Sequence, residues 1–176
     1  VFDHNEGESL INSALDFWLT AGKYSKEFEL KIAQYLGVRK SMLTNSGSSA
    51  NLLAMSALTS DKLGDKKLSK GDEVITVAAG FPTTVNPIYQ NGLIPVYCDI
   101  EVNTKNIKVS DLEMAISKKS KAIILAHSLG NPFDLDAIID FAQENNLWVI
   151  EDNCDALGSR WNGKLTGTFG HLSTQS

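Results

Sequence analysis

Cysteine is scarce in this chain. Its 176 residues contain two, Cys98 and Cys154, far apart and in no Cys-x-x-Cys pair. That leaves no basis for a disulfide framework or a cysteine-rich zinc site, and it fits a reducing compartment. Positive charge is thin as well: the formal net charge is -5, and no basic run exceeds two adjacent residues, as at Lys66-Lys67 and Lys118-Lys119. Neither a nucleic acid nor an anionic membrane surface is a natural partner for such a chain. Long apolar runs are missing too, the longest being the five residues Ala122–Ala126, too short for a signal sequence or a membrane span. No metal-ligand constellation, internal repeat or low-complexity tract is present. A soluble, cytoplasmic protein is the expectation. Val1 is not an initiator Met, and Ser176 stops inside an alternating segment, so the chain reads as an internal piece of a longer protein. Alone, such a piece is expected to be poorly stable and inactive, with an unfinished sheet edge exposed.

Apolar residues make up 43% of the chain, enough to build a core. Ser9 is a candidate N-cap for a helix through Leu19, with Leu10, Ala14, Phe17 and Trp18 on one face. Lys26–Leu36 is a second amphipathic run, stopped by Gly37. Met42–Thr44 reads as a short strand, and the polar, Lys-rich stretch Asp61–Gly71 as a flexible loop. A βα rhythm then sets in. Strands are expected at Glu73–Ala78, Ile94–Ile100, Ala122–Ala126 and Leu147–Ile150. Helices are expected at Pro82–Gln90, at Asp111–Ser117 behind a Ser110 cap, and at Leu135–Glu144. Short apolar strands separated by helices predict an α/β fold, a mostly parallel sheet with helices on both faces. Asn162-Gly163, between alternating residues, predicts a hairpin.

In such sheets ligands sit beyond the carboxyl ends of the strands, and two motifs fall there. Asn45-Ser46-Gly47-Ser48-Ser49-Ala50 is a Gly/Ser turn opening into a helical run, which presents free amides and hydroxyls at the positive end of a helix dipole. The plainer alternative is an N-cap and tight turn without a ligand. About a hundred residues later, Asp152 follows the apolar strand Leu147–Ile150. A carboxylate there can pair with a protonated pyridine nitrogen; it can equally cap the turn. Phosphate cradle and buried anion together are what pyridoxal phosphate requires. Asp155 could reach the hydroxyl side of the same ring, or be a solvated turn residue. Phe81, fixed between Gly80 and Pro82, can stack on a planar group, or pack in the core. His127 ends a strand and faces the same cleft, read as a neutral, hydrogen-bonded side chain rather than a catalytic one. Cys98 and Cys154 read as small buried groups, lacking the basic neighbour a reactive thiol needs.

Taken in order, Asn45–Leu52, Gly71–Ile75, Gly80–Thr84 and Glu151–Ala156 resemble the DegT/DnrJ/StrS group of nucleotide-sugar aminotransferases and dehydrases, over essentially the whole chain. Ala79–Ile88, His127–Leu135 and Asn153–Ser159 are most similar to the CDP-4-keto-6-deoxyglucose 3-dehydrases of lipopolysaccharide sugar synthesis. Aminotransferases of the group usually carry Gln where Asp155 stands. The resemblance implies the type I pyridoxal-phosphate-dependent aminotransferase fold, with residues 1–40 a helical segment and 41–176 an incomplete large domain. It implies pyridoxal or pyridoxamine phosphate as cofactor. Gly47, Ser48 and Ser176 would hold the phosphate, Phe81 would stack on the ring, Asp152 would pair with the ring nitrogen, and Asp155 would lie near the ring hydroxyl. The catalytic position, Lys in the aminotransferases and His in the dehydrases, is expected just past Ser176, and cysteines for an iron–sulfur cluster further on. Lys forms a Schiff base that supports amino transfer. With His, bound pyridoxamine phosphate would take up a nucleotide-linked 4-keto-6-deoxy sugar, and His would drive loss of the C3 hydroxyl. A flavin or iron–sulfur reductase and a homodimer are implied partners. The rival functions are amino transfer to the keto sugar and a non-catalytic cofactor-binding module.

Overall fold

The computed structural model describes residues 2–176. It divides into two compact units, Val1–Leu43 and Thr44–Ser176.

The first unit is a pair of helices. α1 spans His4–Leu15 and starts at Asp3, not at Ser9 as expected. Asp3 accepts the Asn5 amide at 2.8 Å, and Glu6 accepts the Asp3 amide at 2.7 Å. This reciprocal pair satisfies two end amides at once, which a lone Ser9 cannot do. The helix also stops earlier, because Phe17 takes a left-handed φ of 52°, so Phe17 and Trp18 do not extend its face. α2 spans Lys23–Leu36 and ends where expected, at Gly37 with φ 68°. No strand forms at Met42–Thr44.

The second unit is built on a five-stranded parallel sheet. Its strands are β1 (Glu73–Val77), β2 (Ile94–Cys98), β3 (Ser120–Ala126), β4 (Trp148–Asp152) and β7 (Leu172–Thr174), in the order β2-β1-β3-β4-β7. β5 (Arg160–Trp161) and β6 (Lys164–Leu165) form the expected hairpin, with φ of 47° at Asn162 and 82° at Gly163. α3 (Gly47–Ala57), α4 (Pro82–Gln90), α5 (Leu112–Ala115) and α6 (Leu135–Glu144) complete the unit. α4 and α6 match the expected bounds. Pro82 at the first helical position and Asp134, whose carboxylate accepts the Ala137 amide, explain why they start where they do.

Successive strand residues face opposite sides of the sheet, which gives two cores. Val74, Ala122, Ile124 and Ile150 pack with Met55 and Ile88 of α3 and α4. Ile75, Ile123, Leu125 and Val149 pack with Leu135, Ile138 and Phe141 on the other side. Each fully buried aliphatic or aromatic side chain contributes about 1.5–3 kcal/mol.

Three further expectations need correction. Asp61–Gly71 is not a free loop: Asp61–Lys66 forms a 3-10 turn, and Leu68 is buried in the core. Ser110 does not cap a helix over Asp111–Ser117. Val109–Asp111 is a 3-10 turn leading into the single turn α5, and Asp111 is the cap position. β2 ends at Cys98, and Ile100 instead makes an isolated bridge to Ile107.

Candidate functional site

The segments that follow β4 and β7 meet the start of α3. Ser46 caps that helix: its hydroxyl accepts the Ser49 amide at 3.2 Å and its carbonyl accepts the Ala50 amide. Gly47 and Ser48 are therefore the first two helical residues, whose amides point past the helix end with no acceptor inside it. A methyl group built on Gly47 would lie 2.9 Å from the Ser176 Cβ, 3.1 Å from its hydroxyl and 3.0 Å from the Cys154 sulfur. Only a residue without a side chain lets Ser176 and Cys154 approach this closely. The turn after β4 and the segment after β7 thus close around the N-terminus of α3, forming a cradle of amides and one hydroxyl at the positive end of a helix dipole.

Asp152 is the last residue of β4 and is 5% exposed. Strand alternation turns it to the face covered by α3 and α4. One of its oxygens, Oδ2, accepts the Asn51 amide at 2.8 Å and the Thr84 hydroxyl at 2.6 Å. Its other oxygen, Oδ1, accepts the Cys154 backbone amide at 3.3 Å. Phe81 stands at the cap position of α4, three residues before Thr84, and 71% of its surface is exposed. That is no core packing position, and its ring is free to cover a ligand. Asp155 lies exposed on the turn beyond β4; its carboxylate enters no hydrogen bond or ion pair among the described residues.

Glu151 and Asp152 are neighbours in sequence yet sit on opposite faces of the sheet. Glu151 is fully buried and accepts the amides of Gly167 at 2.7 Å, Phe169 at 2.7 Å and Gly170 at 2.6 Å. The fourth partner is His127, Nε2 to Oε2 at 3.0 Å. Burial pushes the Glu151 carboxyl up, but His127 and the Gly170 and Gly167 amides outweigh it, and the group lies below its ordinary range. His127 stacks on Phe133 with ring centroids 4.2 Å apart. It is hydrogen-bonded, as expected, but buried beneath the sheet and not facing the cleft. Cys98 is buried as expected, whereas Cys154 is only partly so. Burial, followed by the hydrogen bond and charge of Asp152, pushes the Cys154 thiol up to about 12, so it is no nucleophile.

Asn51, Thr84, Thr174 and Glu151 were not singled out from the sequence. Asn51 lies one helical turn after Gly47 and Thr84 one turn after Phe81, so helical spacing from the two motifs was the available signal.

The DegT/DnrJ/EryC1/StrS aminotransferase family model matches residues 3–176. Lipopolysaccharide biosynthesis protein RfbH of Salmonella typhimurium is 53% identical over 176 residues, covering 100% of this chain and 40% of that protein. The dTDP-4-dehydro-2,6-dideoxy-D-glucose 3-dehydratase of Saccharopolyspora spinosa is 51% identical over 176 residues, covering 100% and 38%. A solved structure of a GDP-4-keto-6-deoxymannose-3-dehydratase mutant with bound GDP-perosamine is similar with a TM-score of 0.92 at 37% identity, covering 100% of this chain and 45% of that one. The E. coli GDP-4-keto-6-deoxy-D-mannose-3-dehydratase with bound hydrated PLP gives 0.88 at 37% identity, covering 97% and 43%. The chain therefore spans less than half the length of the relatives it matches. With a family model matching nearly its whole length, the chain belongs to the DegT/DnrJ/EryC1/StrS aminotransferase family.

Proposed function

We propose that this chain is the cofactor-binding part of a pyridoxal- or pyridoxamine-phosphate-dependent 3-dehydrase acting on a nucleotide-linked 4-keto-6-deoxy sugar, with the CDP-linked hexose as substrate. The observation that carries this reading is a juxtaposition at one edge of the sheet: an amide cradle closed by Ser176 and, anchored one helical turn along α3, a buried carboxylate. The residues present fit the cofactor. Gly47, Ser48 and Ser176 would hold its phosphate, Phe81 would cover the ring, and Oδ1 of Asp152 would accept a hydrogen bond from the protonated ring nitrogen. When bound, the cofactor supplies an electron sink for bond cleavage beside a carbonyl. Asp155, exposed on the turn after Asp152, would face the ring hydroxyl. Its carboxylate, in place of the usual Gln, favours the dehydrase over the aminotransferase. The catalytic His, cluster cysteines, a reductase, a homodimeric partner and a cytoplasmic setting belong to the same proposal for the full-length protein.

The test is a product assay with the full-length protein, pyridoxamine phosphate and CDP-4-keto-6-deoxyglucose, with and without a reducing system. Loss of the C3 hydroxyl is expected. An amino sugar that keeps its C3 hydroxyl in the presence of glutamate would replace this reading with the aminotransferase.

Gly47→Ala provides a second check. Gly47 opens the helix and its backbone does not require glycine, so thermal stability should fall far less than cofactor affinity. The added methyl would crowd Ser176 and Cys154, and pyridoxal phosphate affinity should fall about tenfold or more, one lost charge-assisted hydrogen bond's worth. Absorbance titration of the apoprotein reads this directly.

A further inference from the structure

We infer that Asn51, Thr84 and Thr174 are positioning residues that lock Asp152 in one orientation and tie it to every other cofactor-contacting segment. The inference rests on the cofactor reading above and deepens it. Four elements meet in one buried hydrogen-bond cluster. The Thr174 hydroxyl on β7 donates to Asn51 Oδ1 at 2.7 Å. The Asn51 amide on α3 donates to Asp152 Oδ2 at 2.8 Å and also to the Thr83 carbonyl at 3.3 Å. The Thr84 hydroxyl on α4 donates to the same Oδ2 at 2.6 Å. Asn51, Thr84 and Thr174 are 1%, 3% and 3% exposed, so water does not replace these bonds.

The direction of the cluster is unambiguous. A carboxylate only accepts, so Asn51 must present its NH2 to Asp152, and its oxygen is then left for the Thr174 hydroxyl. Both strong donors fall on Oδ2. Oδ1 has one backbone donor, the Cys154 amide at 3.3 Å, and is the oxygen with capacity for a further strong donor.

Each positioning residue also sits a short, rigid step from a cofactor-contacting one. Asn51 is one turn along α3 from Gly47, Thr84 one turn along α4 from Phe81, and Thr174 two residues before Ser176. The cluster therefore sets the relation between the phosphate cradle, the ring platform and the ring-nitrogen partner. In the relay from Thr174 through Asn51 to Asp152 each bond polarises the next, which strengthens both links.

The experiment uses the full-length protein loaded with pyridoxal phosphate carrying a 15N-labelled ring, and compares wild type with Thr84→Val, Thr84→Ser and Thr174→Val. Valine keeps the shape of threonine and removes the hydroxyl; serine keeps the hydroxyl. Expected for Thr84→Val is a 15N shift toward the unprotonated ring and a loss of cofactor affinity of about tenfold, the size of one hydrogen bond to a charged group. Thr84→Ser should stay within about twofold of wild type, since its hydroxyl still donates. Thr174→Val, whose hydroxyl donates to Asn51 and not to Asp152 itself, should move the 15N signal in the same direction by less. If Thr84→Val does not fold, Thr84→Ser and Thr174→Val carry the comparison. Identical 15N signals in wild type and both valine variants would overturn the inference, as would Thr84→Ser losing as much as Thr84→Val. A wild-type ring nitrogen that is itself unprotonated would instead remove the cofactor reading on which the inference stands.

Discussion

Replacing Asp152 with Asn in the full-length protein is expected to lower turnover by about 10²–10³-fold, the loss seen when one preorganised electrostatic partner of a reaction is removed. Folding stability should change far less, because the side chains share one shape. The bonding around Asp152 explains why so small a change costs so much. Oδ2 is addressed by two donors, the Asn51 amide and the Thr84 hydroxyl. An NH2 placed there would confront both, so the new amide must put its oxygen at that position. Its NH2 then occupies the site of Oδ1 and presents a donor where, on the proposed reading, the ring nitrogen needs an acceptor. The substitution inverts the polarity of the contact instead of merely neutralising it. Turnover measured beside the thermal midpoint is the check; activity within a few fold of wild type would mean that Asp152 is not the ring-nitrogen partner.

Glu151→Ala should have the opposite profile, a loss of about 3–5 kcal/mol in unfolding free energy, the cost of breaking a buried charged network from one side. Four donors converge on this carboxylate: three backbone amides from the turn before β7 and the His127 ring. Removing it leaves all four without an acceptor inside the protein. That turn delivers β7, and with it Thr174 and Ser176, to the site, so cofactor binding should fail together with folding and not ahead of it.

The acid dependence has a definite sign. Burial raises the Glu151 carboxyl, the bonds to His127, Gly170 and Gly167 lower it further than burial raises it, and the net position is below the ordinary 4.5. A carboxyl depressed in the folded state stabilises the fold above its unfolded value and loses that contribution as pH falls through the folded one. The gap between wild type and Glu151→Ala should therefore be widest at neutral pH and narrow below about pH 4.5. Urea midpoints for both proteins across that range test it, and a gap independent of pH would refute the assignment of the stability to the Glu151 charge.

Local chemistry made much of the molecule legible. α4 and α6 came out at their expected bounds because Pro82 and Asp134 start them and apolar spacing carries them through. The hairpin at Asn162-Gly163 formed because those two residues accept the left-handed backbone the turn requires. At the N-terminus local chemistry was misread. The apolar spacing pointed to Ser9 as the cap, and the reciprocal bond between Asp3 and Glu6 starts the helix at Asp3 instead.

The sequence by itself determined the alternation of strands and helices, the parallel sheet, and the segments that reach its carboxyl edge. These follow from periodicity and turn residues, which act over a few positions. It could not show that Asn51 holds Asp152 from 101 residues away, that Thr174 holds Asn51 from 123, or that Glu151 and Asp152 serve opposite faces. Such contacts depend on strand order and on which face each helix covers. They exist only once the sheet has brought distant segments to one edge and excluded the water that would otherwise bond each polar group separately.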